Sequence, residues 1–268
     1  MTIHAAARVL ARSDEAGVAT LTLNNPARRN SLSEAMLAEL GQELAAIAAD
    51  PGVRAVVIAA AGPVFSAGHD LKELTARRAD ADRGRAYFAE IMNRCAAVMQ
   101  AIVRLPQPVI AEVQGVATAA GCQLVASCDL AVAASTAKFC TPGVTIGLFC
   151  STPMVALSRN VAPKHAMEML LTGDMVGAEE AQRIGLVNRV VAQERLGEET
   201  AALARRLASR SALTLRTGKE AFYRQREMAL PDAYAYAAAV MVENMLARDA
   251  EEGIGAFLDK REPRWEDR

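Results

Sequence analysis

Apolar segments of strand length, alternating with helix-length stripes, constrain this chain more than any other feature. Val53 to Ala60 is apolar apart from Arg54, and Pro108 to Val113 is apolar apart from Glu112. A third such segment covers 129–134. Strands without polar alternation are those covered on both faces, as in a parallel sheet. Between them, Met36, Leu37, Leu40, Leu44 and Ile47 recur at helical period, as do Phe88, Ile91, Cys95, Val98, Met99 and Ile102. Strand–helix alternation of this kind implies an α/β core. Two further strands are expected at 7–12 and 18–24, turning at Asp14–Gly17, and Ser31-Leu-Ser-Glu34 has the spacing of a capping box. After residue 160 the pattern becomes helical, at 163–171, 177–184, 194–209, 212–226, 231–247 and 249–260.

Composition narrows the function. With 268 residues and 52% hydrophobic content, the chain suits one larger domain or a domain with a helical extension. A net charge of −1 without a basic run gives no footprint for nucleic acid. No apolar stretch reaches the ~18 residues of a membrane span, and Met1 to Arg12 lacks the apolar centre of a signal peptide. Five cysteines (95, 122, 128, 140, 150) form no CxxC pair and read as reduced, packed thiols. The histidines at 4, 69 and 165 lie too far apart in the chain for a metal cluster. There is no P-loop, no dinucleotide fingerprint and no nucleophile elbow.

Two glycine-containing segments carry the chemistry. Phe65-Ser-Ala-Gly-His-Asp-Leu-Lys-Glu-Leu74 and Gly115-Val-Ala-Thr-Ala-Ala-Gly-Cys-Gln-Leu124 each read as a loop between a buried strand and a helix. Small side chains admit a ligand close to the backbone, and a helix N-terminus offers free N–H groups. One N–H from each loop converging on one oxygen would make an oxyanion hole.

Together these segments resemble the enoyl-CoA hydratase/isomerase (crotonase) superfamily. The resemblance runs through Asn25-Pro-Ala-Arg-Arg-Asn-Ser-Leu-Ser33, Phe65–Glu73, Pro108-Val-Ile-Ala with Gly115, Cys128-Asp129 and Phe139-Cys-Thr-Pro-Gly143. It continues through Ile146-Gly147, Leu171-Thr-Gly173 and Ala181-Gln-Arg-Ile-Gly-Leu-Val187. Ala119-Ala-Gly-Cys-Gln123 and Gly147–Pro153 look most like one particular branch. The resemblance implies a crotonase (ClpP-like) spiral of ββα units over 1–200 and a C-terminal helical trimerisation region over 201–268. It implies a homo-trimer or hexamer and an acyl-CoA thioester as a dissociable substrate, with no covalent cofactor, no metal, no nucleic acid and no membrane. The expected location is the cytoplasm, or the mitochondrial matrix for a processed eukaryotic chain. The implied oxyanion donors are the backbone N–H groups of His69 and Ala120. The implied coenzyme A contacts are Arg28, Ala67, Gly68, Asp70, Leu71, Lys72, Thr118, Gly121 and Pro142, with Lys260 and Arg261 as further phosphate partners.

The sequence departs from that pattern at the two acid–base positions. The hydratases it resembles hold the attacking water between two Glu side chains, one base and one acid, and the matching positions here carry Gln123 and Gly143. Three readings remain open. A replacement base could serve, from His69, Glu73, Glu90, Glu112, Asp174 or an external anion. The chain could instead be a non-catalytic acyl-CoA binder. Or it could be a decarboxylase or thioesterase that needs only the oxyanion hole. Glu112, in an apolar strand, is either a buried group of raised pKa or an ordinary strand-end residue. Cys122 and Cys150 read as packing thiols rather than nucleophiles.

Overall fold

A computed structural model describes residues 8–268. His4, the Met1–Ala7 part of the presequence reading and the first residue of the strand expected at 7–12 lie outside them. Ten strands and eleven α-helices follow one another among the described residues. The first half contains β1 (Leu10–Glu15), β2 (Val18–Leu23), α1 (Glu34–Ala48), β3 (Ala55–Ala60), β4 (Val64–Ser66), α2 (Leu71–Ala76), α3 (Arg85–Arg104), β5 (Val109–Val113), β6 (Val116–Thr118) and α4 (Ala120–Ser127). There follow β7 (Leu130–Ala134), β8 (Lys138–Cys140), α5 (Ser151–Leu157), α6 (Pro163–Thr172), β9 (Val176–Gly177), α7 (Ala178–Arg183) and β10 (Arg189–Val191). The chain ends in α8 (Leu196–Ala208), α9 (Ala212–Gln225), α10 (Leu230–Leu246) and α11 (Arg248–Leu258).

The strands divide between two sheets, ordered β1-β2-β3-β5-β7-β10 and β4-β6-β8-β9. Successive pairs β3/β4, β5/β6 and β7/β8 send one strand to each sheet, and neighbours from successive pairs run parallel. This is the spiral of ββα units that the resemblance implies. The long central strands alternate between two apolar environments. Val56 and Ile58 join the main core with α1 and α3, whereas Val57, Ile110 and Val132 face Leu196, Leu203 and Ala204 of α8. Burying each such side chain contributes about 1.5–3 kcal/mol. No helix among the described residues is long and apolar enough to cross a membrane.

Four expectations require correction. The two glycine-containing segments are not simple loops, because each includes the end or the whole of a three-residue strand, β4 or β6. β8, β10 and α5 were not expected; elements of 3 to 7 residues are too short to display a period. The turn at 14–17 narrows to Ala16-Gly17, both at positive φ. The capping box does not form. Ser33, not Ser31, caps α1 by accepting from the Met36 N–H, and the Glu34 N–H is taken by Glu73 Oε2 at 3.0 Å.

Candidate active site

The first turn is fixed from outside itself. Asn30 is fully buried and its amide donates to the carbonyls of Ala61 and Val64, both at 2.8 Å. Ser66 Oγ donates to the Asn30 carbonyl, Ala67 N–H donates to Arg29, and Leu32 N–H donates to Gly68. Gly68 holds φ +81°, a left-handed conformation suited to glycine. Asp70 then caps α2, accepting from the Lys72 and Glu73 N–H groups. In the sequence the only signal for Asn30 is its place within the Asn25–Ser33 motif.

The second turn presses against the first. A Cβ at Gly68 would stand 3.1 Å from the Ala120 nitrogen and 3.0 Å from Ala119 Cβ. Thr118 Oγ1 donates to the Ala67 carbonyl at 3.0 Å. Ala119 has φ 50° and ψ −118°, a strained conformation for a residue with a side chain. It places Ala120 as the first residue of α4, which has no side-chain cap. Among the described residues, neither the His69 nor the Ala120 N–H donates a hydrogen bond. Two adjacent, unpartnered N–H groups, one at a helix N-terminus, are a suitable donor pair for an oxyanion.

Gln123 lies one helical turn beyond Ala120. It is 4% exposed, its Oε1 has no partner, and it lines a cavity of about 870 Å³ between α3, α4, α5 and α9. Gly143 lies in the Pro142–Ile146 turn, and a Cβ there would stand 2.9 Å from the Leu148 carbonyl oxygen and 3.0 Å from Cys150 Sγ. Its N–H donates to that sulfur at 3.3 Å. The position is therefore closed to a side chain as the chain stands. Cys122, Cys140 and Cys150 lie close enough for their thiolates to repel one another. Burial raises all three thiol pKa values, Cys140 to about 11, which suits packing rather than nucleophilic attack.

The other named residues divide by what already holds them. Arg28 is exposed and lies 3.5 Å from Asp70, whose carboxylate also accepts from Ser31. Leu71 and Lys72 are exposed on α2, and Pro142 opens its turn. Gly121 is a packing glycine, since a Cβ there would stand 2.3 Å from the Ser66 carbonyl oxygen. Arg261 is engaged by Glu252 through two hydrogen bonds of 2.7 and 2.9 Å.

Of the candidate bases, Glu73 holds α1, Glu90 is exposed and paired with Arg94, and Glu112 points to the far side of the sheet. There Glu112 lines a cavity of about 220 Å³ with Thr200 and Arg205. Burial raises its pKa; the nearby Thr200 hydroxyl opposes this but forms no hydrogen bond in the structure. Asp174 is exposed and follows Gly173, whose backbone packs on Pro142. His69 belongs to the first turn. Both its ring nitrogens are buried and unpartnered, and burial lowers its pKa more than the nearby Leu32 carbonyl raises it.

Comparison with known proteins agrees with this architecture. The profile of the family described as Enoyl-CoA hydratase/isomerase matches residues 13–268. The mitochondrial enoyl-CoA hydratase domain-containing protein 3 of Xenopus laevis is 49% identical over 251 residues, covering 94% of this chain and 84% of the relative. The crystal structure of the human protein of that name superposes with a TM-score of 0.92 at 48% identity, covering 96% of this chain and 100% of the other. That of an enoyl-CoA hydratase from Mycobacterium smegmatis gives 0.91 at 52% identity, covering 96% and 98%. This is the branch whose likeness the Ala119–Gln123 and Gly147–Pro153 segments carry, and the chain belongs to the enoyl-CoA hydratase/isomerase family of the crotonase superfamily.

Proposed function

We propose that this protein binds an acyl-CoA thioester at the junction of its two turns and stabilises the thioester enolate, without efficient alkene hydration. The thioester oxygen sits between the N–H groups of His69 and Ala120. One such donor is worth about 3–4 kcal/mol in the transition state. The observation that carries the reading is the state of α4: a free N–H at Ala120 and, one turn later, a buried Gln123 facing a cavity with no partner for its Oε1. Gln cannot exchange a proton near neutral pH, and Gly143 supplies no group at all. Water therefore lacks both its base and its acid.

Coenzyme A enters on the side of Arg28, Ala67–Lys72 and Thr118, with Pro142 lining its path, and is a dissociable ligand rather than a bound cofactor. With Glu73, Glu90 and Glu112 engaged or turned away, His69, Asp174 or an external anion is left as the candidate proton carrier on this reading. On this reading residues 1–200 form the acyl-CoA core and 201–268 an oligomerisation region. Val242, Met245 and Leu246 of α10, all more than half exposed, form the contact of a homo-trimer or a dimer of trimers. A mitochondrial-matrix location, for a processed eukaryotic chain, follows the relatives named as mitochondrial.

The test is direct. Purified protein is mixed with crotonyl-CoA, and hydration is followed by the loss of enoyl absorbance, with deuterium uptake at Cα measured on a saturated acyl-CoA. Thermal protection by acyl-CoA with slow hydration is expected. Hydration at rates typical of enzymes overturns the mechanism, and absence of any thioester binding overturns the ligand. Deuterium uptake separates enolate formation from passive binding.

A further inference from the structure

We propose that the cavity beyond Gln123 selects acyl chains that end in an anionic group, as in the mono-CoA thioester of a dicarboxylic acid. This rests on the acyl-CoA reading above. α4 connects the cavity to the turns: Gln123 follows Ala120 by three residues, a rise of about 4.5 Å at ~1.5 Å per residue. An acyl group whose carbonyl meets the Ala120 N–H therefore begins its chain beside Gln123, at the inner end of the cavity.

The cavity changes character along its length. Met99, Val103, Leu105 and Ala156, buried or half-buried, supply an apolar lining. Its outer wall, from the ends of α3 and α5 and from α9, is cationic. Lys219 is balanced by Asp129 at 2.6 Å, and Arg159 by Glu227 at 3.4 Å. What remains is Arg104, Arg216, Arg224 and Arg226 against a single carboxylate, Glu220. Three of these arginines are held by neutral partners: Arg104 by the Gln100 side chain, Arg224 over the Tyr236 ring, and Arg226 by the Arg159 carbonyl. Arg216 has no partner among the described residues, and neither has Glu220. In a chain of net charge −1, this leaves a local excess of positive charge at one end of an apolar passage.

A hydrocarbon terminus gains nothing from such a wall and partly desolvates it. A carboxylate gains charge-assisted, planar recognition that guanidinium groups supply better than ammonium groups.

The experiment uses the full chain and two probes of equal length: octanoyl-CoA and the mono-CoA thioester of the eight-carbon dicarboxylic acid. Because both carry coenzyme A, the ratio of their dissociation constants isolates the tail. Calorimetric titration at low ionic strength should give roughly tenfold tighter binding of the carboxylated tail. The advantage should shrink at high salt and in Arg104→Met/Arg216→Met, two exposed positions whose replacement leaves the fold intact by circular dichroism. Octanoyl-CoA binding as tightly as the carboxylated thioester overturns the inference. An advantage that survives both substitutions overturns the assignment to this wall. Failure of both thioesters to bind overturns the acyl-CoA reading itself.

Discussion

Gly121 packs against Ser66, whose carbonyl oxygen lies 2.3 Å and whose Cβ lies 2.8 Å from where a Gly121 Cβ would stand. That contact seats the first turn of α4 on β4. Gly121→Ala drives a methyl group into a backbone that is itself part of a sheet. A loss of about 3 kcal/mol is expected, which at ~2–4 °C per kcal/mol lowers Tm by roughly 6–12 °C. Thermal unfolding with and without acyl-CoA checks it, and the stabilisation by ligand should fall along with Tm.

Gln123→Glu restores a carboxylate where the cavity already has room for an isosteric side chain. It should raise Cα deuterium exchange on a bound acyl-CoA by about 10²-fold, the low end of general-base effects. Hydration of crotonyl-CoA should stay slow, since no second group is restored. Gly143→Glu should not complete the pair. Its side chain meets the Leu148 carbonyl and Cys150 Sγ, so the variant should unfold at lower temperature rather than gain activity.

Lys219 and Asp129 tie α9 to the start of β7. Lys219 Nζ lies 2.6 Å from Asp129 Oδ2 and also donates to the carbonyls of Ile102 and Gln107. Asp129 in turn accepts from the Val109 N–H and the Tyr223 hydroxyl. Lys219→Met leaves a buried carboxylate without its cation and should cost about 3–5 kcal/mol. Adding Asp129→Asn removes the stranded charge and keeps an acceptor oxygen for the Val109 N–H, with the new amide NH2 turned to the Tyr223 oxygen. The double variant should recover part of the loss in urea unfolding.

Glu112 gives the stability a pH dependence. Burial raises its carboxyl pKa above the ordinary 4.5 in the folded chain. The folded state therefore retains a proton that the unfolded chain releases. This contribution is full below about pH 4.5 and is lost as the pH rises through the folded value. Glu112→Gln should raise Tm at pH 7–8 and leave it unchanged at pH 4. An equal effect at both pH values would assign the change to packing.

The long elements were legible because burial writes a period into them. Leu37, Leu40 and Leu44 announce α1, and Val56 and Val57 announce a strand with two covered faces. The second sheet was illegible for the opposite reason. A strand such as Lys138–Cys140 has one exposed and two buried residues, too few to show a period, and its pairing comes from the turn of the spiral rather than from local pattern. Within the site, Gln123 and Gly143 were readable as departures from a family pattern. The reason Gly143 tolerates nothing larger was not, since it depends on a carbonyl five residues away in sequence. The orientation of Glu112 depended likewise on which face of β5 meets α8.

The Gly143–Cys150 contact also makes the second acid–base position costly to fill. A carbonyl and a thiol stand 2.9 and 3.0 Å from where a Cβ at 143 would lie. A carboxylate placed there has to move the Leu148–Cys150 segment or displace the thiol, so paired-carboxylate chemistry cannot be installed in this chain by exchanging the two side chains alone.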